Sequence, residues 1–209
     1  MIFLYSLIFP FLLWKQSSPK FESMNKQEGP QVVNKTFFIC FMVTVFLYVS
    51  LEITIAGWIS TYAVLRGVDQ TQAAILVTWF YVALSFGRFI SVPALRWVSL
   101  VHSLFALLSF SIIGTLALLF TTLPMMAVVL ILGLGCSAFF PILFSFVNGI
   151  IPLTGKLTGY VFMGCGLGAM IIPAITGPSI DYFGANVYPI ILLLMTLLLV
   201  GSWANLLRL

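Results

Sequence analysis

Six apolar runs, each longer than twenty residues, follow one another along the chain between short polar breaks. They cover residues 36–64, 72–95, 98–120, 124–147, 157–180 and 187–207. At ~1.5 Å per residue each can cross a hydrocarbon core of roughly 30 Å as a helix. The joins at 65–71, 96–97, 121–123, 148–156 and 181–186 are short, so consecutive helices are expected to be antiparallel neighbours. The pattern predicts an all-α integral membrane protein with six transmembrane helices.

The polar positions inside the spans are not scattered. On the first helix, Thr44, Tyr48, Glu52 and Tyr62 share one face, with Ile55 and Ile59 interrupting the stripe. Nearly opposite, Ser50, Thr54, Gly57 and Thr61 form a small-residue face suited to close helix packing. The second helix carries a stripe of Thr78, Tyr81, Ser85 and Arg88, and the fourth carries Ser137, Pro141, Ser145 and Asn148. Pro141 lacks an N–H, so it frees a backbone carbonyl one turn earlier for a ligand or a water. The fifth helix holds Gly164 and Gly168 in GxxxG spacing, with Pro173 and Pro178 beyond them. The third and sixth are nearly featureless and are expected to face lipid. Lining, lining, peripheral, repeated twice, reads as two inverted three-helix repeats.

Composition and charge sharpen this picture. With 62% hydrophobic and only 7% charged residues, the chain cannot supply the charged shell of a soluble domain. The net charge of +4 comes from basic residues dispersed over loops, which excludes a nucleic-acid patch. Residues 1–14 are apolar but too short to cross alone, and they read as the remnant of an upstream transmembrane helix. Residues 15–35 read as a flexible cytoplasmic linker, and 36–209 as the six-helix bundle. The glycosylation pattern at Asn34 abuts a helix on the cytoplasmic side and is expected to be unmodified. Linker, second loop, fourth loop and C-terminus then hold seven basic residues on one side against Arg66 alone on the other. The positive-inside rule places the C-terminus in the cytoplasm, with the plasma membrane the expected location. Cys40, Cys136 and Cys165 all fall within apolar runs and share no metal-ligand spacing, which makes them buried small hydrophobes. Trp97 and Trp203 are expected at the membrane interfaces.

Glu52 is the one acid within a span that has no short route to water. It is either a structural acid bonded to a neighbouring Tyr or Ser, or a cavity group that exchanges a proton or holds Na⁺. Arg88 is its obvious partner, but helix rise leaves an axial gap of roughly 12 Å between them. Snorkelling of Arg88 to the interface is the alternative. Tyr48, Trp58, Tyr62, Trp79 and Tyr81 could stack on a sugar ring while hydroxyls and amides such as Ser85 and Asn148 bond its rim. Interfacial belts use the same residue types. His102 stands alone, without a nucleophile–base pair or a metal-ligand cluster, so an enzyme is not expected.

These stretches resemble the C-terminal six-helix half of the major facilitator superfamily. LYVSLEITIAGWISTYAV at 47–64 is similar to the seventh-helix signature of the fucose-permease and sodium-dependent glucose transporter group. SFGRF at 85–89 resembles that group's eighth-helix Gly-Arg, and LGLGCSAFFPILFSF at 132–146 its tenth helix. GPSIDYFG at 177–184 has the spacing of the superfamily loop motif, although the topology above puts it on the outer side. The resemblance implies alternating access by two six-helix bundles with substrate near the midplane. It favours Glu52 and its stripe for substrate or ion, and Gly87 with Arg88, and Asp181 with Gly184, for gating or structure. The expected activity is H⁺- or Na⁺-coupled transport of a small polar solute such as a hexose, without a cofactor. The loop after the second helix, SVPALRWVS, lacks the acid of the usual motif, and the N-terminal half would have to come from the same full-length protein or another chain. A transport-inactive membrane protein serving as an interaction or regulatory subunit is the rival expectation.

Overall fold

In a bilayer a backbone can satisfy its own N–H and C=O groups only as a helix or a closed barrel, and the apolar runs here take the first solution. The computed structural model describes residues 35–120 and 123–209. It contains α1 (Lys35–Leu65), α2 (Gln70–Ala94), α3 (Leu100–Phe120), α4 (Met125–Cys136), α5 (Phe139–Ile150), α6 (Gly155–Phe183) and α7 (Val187–Arg208). Together α4 and α5 make one span, giving six helices long and apolar enough to cross a membrane among the described residues. This is the architecture of a multi-pass membrane protein. The expected upstream-helix remnant at 1–14, the linker up to residue 34 including Asn34, and Thr121 and Thr122 lie outside the described residues.

Local chemistry sets the helix ends. Asp69 caps α2, accepting from the N–H groups of Thr71 at 2.9 Å and Gln72 at 3.4 Å, so α2 begins two residues before the apolar run. Gly184, at φ 82°, closes α6 by returning its N–H to the Ile180 carbonyl, and α6 runs through Pro173 and Pro178 to reach it.

The fourth span departs from the expectation of one continuous helix over 124–147. It breaks between Cys136 and Phe139. Both the Ser137 N–H and its Oγ–H turn back to the Leu134 carbonyl, at 3.2 and 2.7 Å, which closes α4. The first backbone bond of α5 runs from Ile142 to Ala138. Pro141 has no N–H to reach back to Ser137, so the ladder cannot bridge the gap.

α1 is the hub, packed against α2, α4, α5, α6 and α7. Its tightest neighbour is α6, where a Cβ on Gly168 would come 2.6 Å from the Phe46 carbonyl oxygen and Ser50 donates to the Gly168 carbonyl at 3.0 Å. The small-residue face of α1 is used only in its first half. Ser50 and Thr54 are buried, whereas Gly57 and Thr61 are exposed. The two featureless helices are also more than lipid-facing cladding. α3 and α7 pack against each other, α3 also against α4 and α5, and α7 also against α1. Each buries one side, and Trp203 is in the core between the rings of Phe105 and Phe146 rather than at an interface. Trp97, on the turn between α2 and α3, is 83% exposed.

Candidate functional site

The break in the fourth span leaves backbone carbonyls that no helix can satisfy, and two other helices supply the missing donors. Tyr48 of α1 is buried, and its hydroxyl donates to the Cys136 carbonyl at 2.6 Å. Arg88 of α2 donates through Nε to the Ser137 carbonyl at 2.7 Å. That second acceptor is the carbonyl freed by Pro141. Adjacent carbonyls are thus held by a phenol and a guanidinium, in a setting where each orphan would cost several kcal/mol. Phe139 stacks on the Tyr48 ring with centroids 5.1 Å apart. Gly87 lets α2 approach, since a Cβ there would run into the Ser137 side chain.

Glu52 belongs to the same neighbourhood. It is half-buried, its carboxyl lies beside the Tyr48 hydroxyl, and with Arg88 it acts electrostatically on Tyr48 and on the Cys136 thiol. Glu52 and Arg88 therefore share an environment through Tyr48 and the break. Arg88 does not swing free to the interface, because its Nε is committed to Ser137.

The remaining expected site residues are dispersed. Trp58 donates to the Pro173 carbonyl at 2.9 Å and lies against Gly177, which makes it an α1–α6 packing residue. Tyr62 is buried against Tyr188, its hydroxyl 3.4 Å from the Leu118 carbonyl, at the end of α1 away from Tyr48. Tyr81 and Ser85 open onto a shallow recess of about 590 Å³ with Thr78, Phe86 and Phe89. Asn148 accepts from the Leu153 N–H at 3.1 Å and caps a turn, while Asp181 and Gly184 stand at the end of α6. The polar stripe of α1 does not line an open cavity along its length, because Thr44, Tyr48 and Tyr62 are all buried in the bundle.

Sequence reasoning placed Ser137 on the lining stripe but missed Cys136 and Phe139 as part of the site. Pro141 marks the Ser137 carbonyl four residues earlier, and nothing comparable in the sequence marks Cys136 or Phe139. Ser99 and His102, bonded at 2.6 Å, form an exposed cap at the start of α3, where Ser99 Oγ also accepts from the His102 N–H. Among the described residues no three of His, Cys, Asp and Glu converge as metal ligands. No protein-family model matches this chain, and no curated protein or solved structure is detectably similar to it.

Proposed function

We propose that this chain is the C-terminal six-helix half of a major facilitator superfamily transporter, akin to the fucose-permease and sodium-dependent glucose transporter group. It carries a small polar solute, a hexose in our reading, by alternating access coupled to H⁺ or Na⁺. The observation that carries this reading is the interrupted fourth span with Glu52 beside it. Discontinuous helices and buried carboxylates near the midplane are how secondary transporters make ligand sites in a bilayer.

Part of the packing order supports two inverted three-helix repeats, although the α1–α2 and α6–α7 contacts have no counterpart under the exchange. Exchanging the first three spans with the last three carries the α1–α6 contact onto the contact of the fourth span with α2. It likewise carries α1–α7 onto the contact of the fourth span with α3, and leaves α3–α7 in place. The hydroxyl and aromatic lining of the α2 recess supports a sugar as solute. Its complement is an N-terminal half, in the same polypeptide or another chain, in a plasma membrane with this chain's C-terminus cytoplasmic.

Tyr48 gives the coupling a physical form. Its hydroxyl has one proton and two acceptors in reach, the Cys136 carbonyl and the Glu52 carboxylate. Neutralising the Glu52 carboxylate makes it a weaker acceptor, which leaves the Tyr48 proton to the Cys136 carbonyl. A proton or a Na⁺ on Glu52 thus shifts the balance at the break in the same direction, and the free carboxylate shifts it back.

The test is uptake of labelled hexoses into proteoliposomes holding this chain with an N-terminal half, under imposed H⁺ or Na⁺ gradients. Glu52→Gln is expected to reach the membrane normally and to lose gradient-driven accumulation. Unchanged accumulation would refute the coupling role. A second reading, a transport-inactive interaction or regulatory subunit, is favoured by the exposed apolar face of α6 at Phe162, Met163 and Met170. It would be upheld by stable co-purification with a partner membrane protein and no uptake.

A further inference from the structure

Helices joined by a short loop are expected to pack along their lengths, but α2 and α3 do not. They diverge and leave a groove of about 340 Å³, within the ~300–1,000 Å³ range of ligand sites. Its walls include Ile90, Ala94, Ala106 and Phe110, and its inner end is formed by Leu134 and Ser137 of the broken span. Ser91 and Ser137 turn their hydroxyls to the Arg88 and Leu134 carbonyls, so these serines add no free donor to the wall. A groove this apolar, opening on the side of a membrane-spanning bundle, meets acyl chains rather than water.

Its axis fixes what fits. From Ala94 at the mouth to Gly87 at the inner end is ~10 Å of helix, most of the ~15 Å depth of one leaflet. The groove reaches Ala94 and Val98 on either side of the α2–α3 turn, where Arg96 and Trp97 are exposed, and a turn joining two spans comes to headgroup depth. A guanidinium at headgroup depth favours a phosphate.

We infer that the α2–α3 groove is a binding site for an anionic phospholipid, with its phosphate at Arg96 and one acyl chain running inward to Ser137. The chain end would then touch the residue whose carbonyl Arg88 holds, so lipid occupancy bears directly on the break.

The experiment uses the full chain in liposomes containing phosphatidylglycerol with a diazirine at one of two depths on the acyl chain, followed by peptide mapping. A headgroup-proximal diazirine is expected to label the segment around Val98 and Ser103, and a chain-terminal one the segment 134–142. Arg96→Gln is expected to lower labelling from phosphatidylglycerol about fivefold and to lower labelling from a phosphatidylcholine probe, whose phosphate is offset by the choline charge, by clearly less. Ala106→Trp fills the groove and should abolish chain-terminal labelling of 134–142, while Ile113→Trp, on the exposed side of α3, should not. Label spread evenly over the exposed faces of α3 and α6, with 134–142 unlabelled in the wild type, means annular lipid only and overturns the site. Equal loss of both probes in Arg96→Gln overturns the preference for an anionic lipid, and no loss of either overturns the phosphate contact. The wild-type depth order decides the matter even if the variants fail to fold.

Discussion

Replacing Tyr48 by Phe removes one oxygen atom and leaves the rest of the break in place. The ring keeps its stack on Phe139, so packing is conserved. What disappears is the 2.6 Å bond to the Cys136 carbonyl, which at the end of α4 has no helical donor to replace it. An unsatisfied buried carbonyl costs ~1–3 kcal/mol, whereas side-chain bonds between membrane helices average ~0.6 and reach ~1.7 kcal/mol. The upper part of that second range applies, since the bond is short and fully buried: about 1.5 kcal/mol, or roughly a tenfold shift in the local opening equilibrium. Cys136 reports it, being buried next to the bond. With Cys40 and Cys165 changed to alanine, maleimide labelling of Cys136 in detergent should speed up about tenfold in Tyr48→Phe. Tyr62→Phe is the control: its bond to Leu118 is 3.4 Å long and remote from the break, so its effect on Cys136 should stay under about threefold. Equal labelling of Cys136 in the parent and in Tyr48→Phe would refute the assignment of Tyr48 as a cap on the break.

Two glycines of α6 should separate cleanly in thermal unfolding in micelles. Gly168→Ala drives a Cβ against the Phe46 carbonyl and should cost about 1–3 kcal/mol, while Gly166→Ala meets nothing within 4 Å and should gain up to about 1 kcal/mol of helix propensity. Thr54→Val removes a buried hydroxyl without a partner and keeps its shape, so a stabilisation of about 1 kcal/mol is expected in the same assay; a loss of stability would mean that the hydroxyl is engaged. Pro141→Ala restores an N–H that can reach the Ser137 carbonyl and compete with Arg88. Hydrogen exchange of the amide so introduced should be slow, and rapid exchange there would show that the break does not depend on the missing N–H.

Several features of the site could be read from the sequence because their cause is local. Pro141 frees a carbonyl wherever its helix goes, and a carboxylate at Glu52 is costly in any membrane-spanning arrangement. Which donor takes the freed carbonyl was not readable. Arg88 is forty-nine positions from Ser137 and Tyr48 eighty-eight from Cys136, and no periodicity within one helix reports a neighbour's backbone. Helical angles placed Tyr48 and Tyr62 on one face without saying that this face looks into the bundle. α1 is surrounded by five partners, and polarity alone does not tell a wet wall from a buried hydroxyl that bonds a carbonyl. Trp203 fails for the same reason. An indole near a span end suits an interface, but here two phenyl rings from other helices enclose it.

The sequence by itself determined six spans, since the bilayer excludes charge and demands helices wherever an apolar run is long enough. It also determined that α6 meets a neighbour closely at Gly164 and Gly168, because glycine spacing at one turn admits a second backbone, although only the packed bundle shows that neighbour to be α1. Only the tertiary structure decided that the fourth span breaks at Ser137, that Tyr48 and Arg88 close the break, and that α2 and α3 part to leave a groove. Those outcomes depend on donors and walls contributed by distant helices, and their cost or gain exists only once the helices are packed.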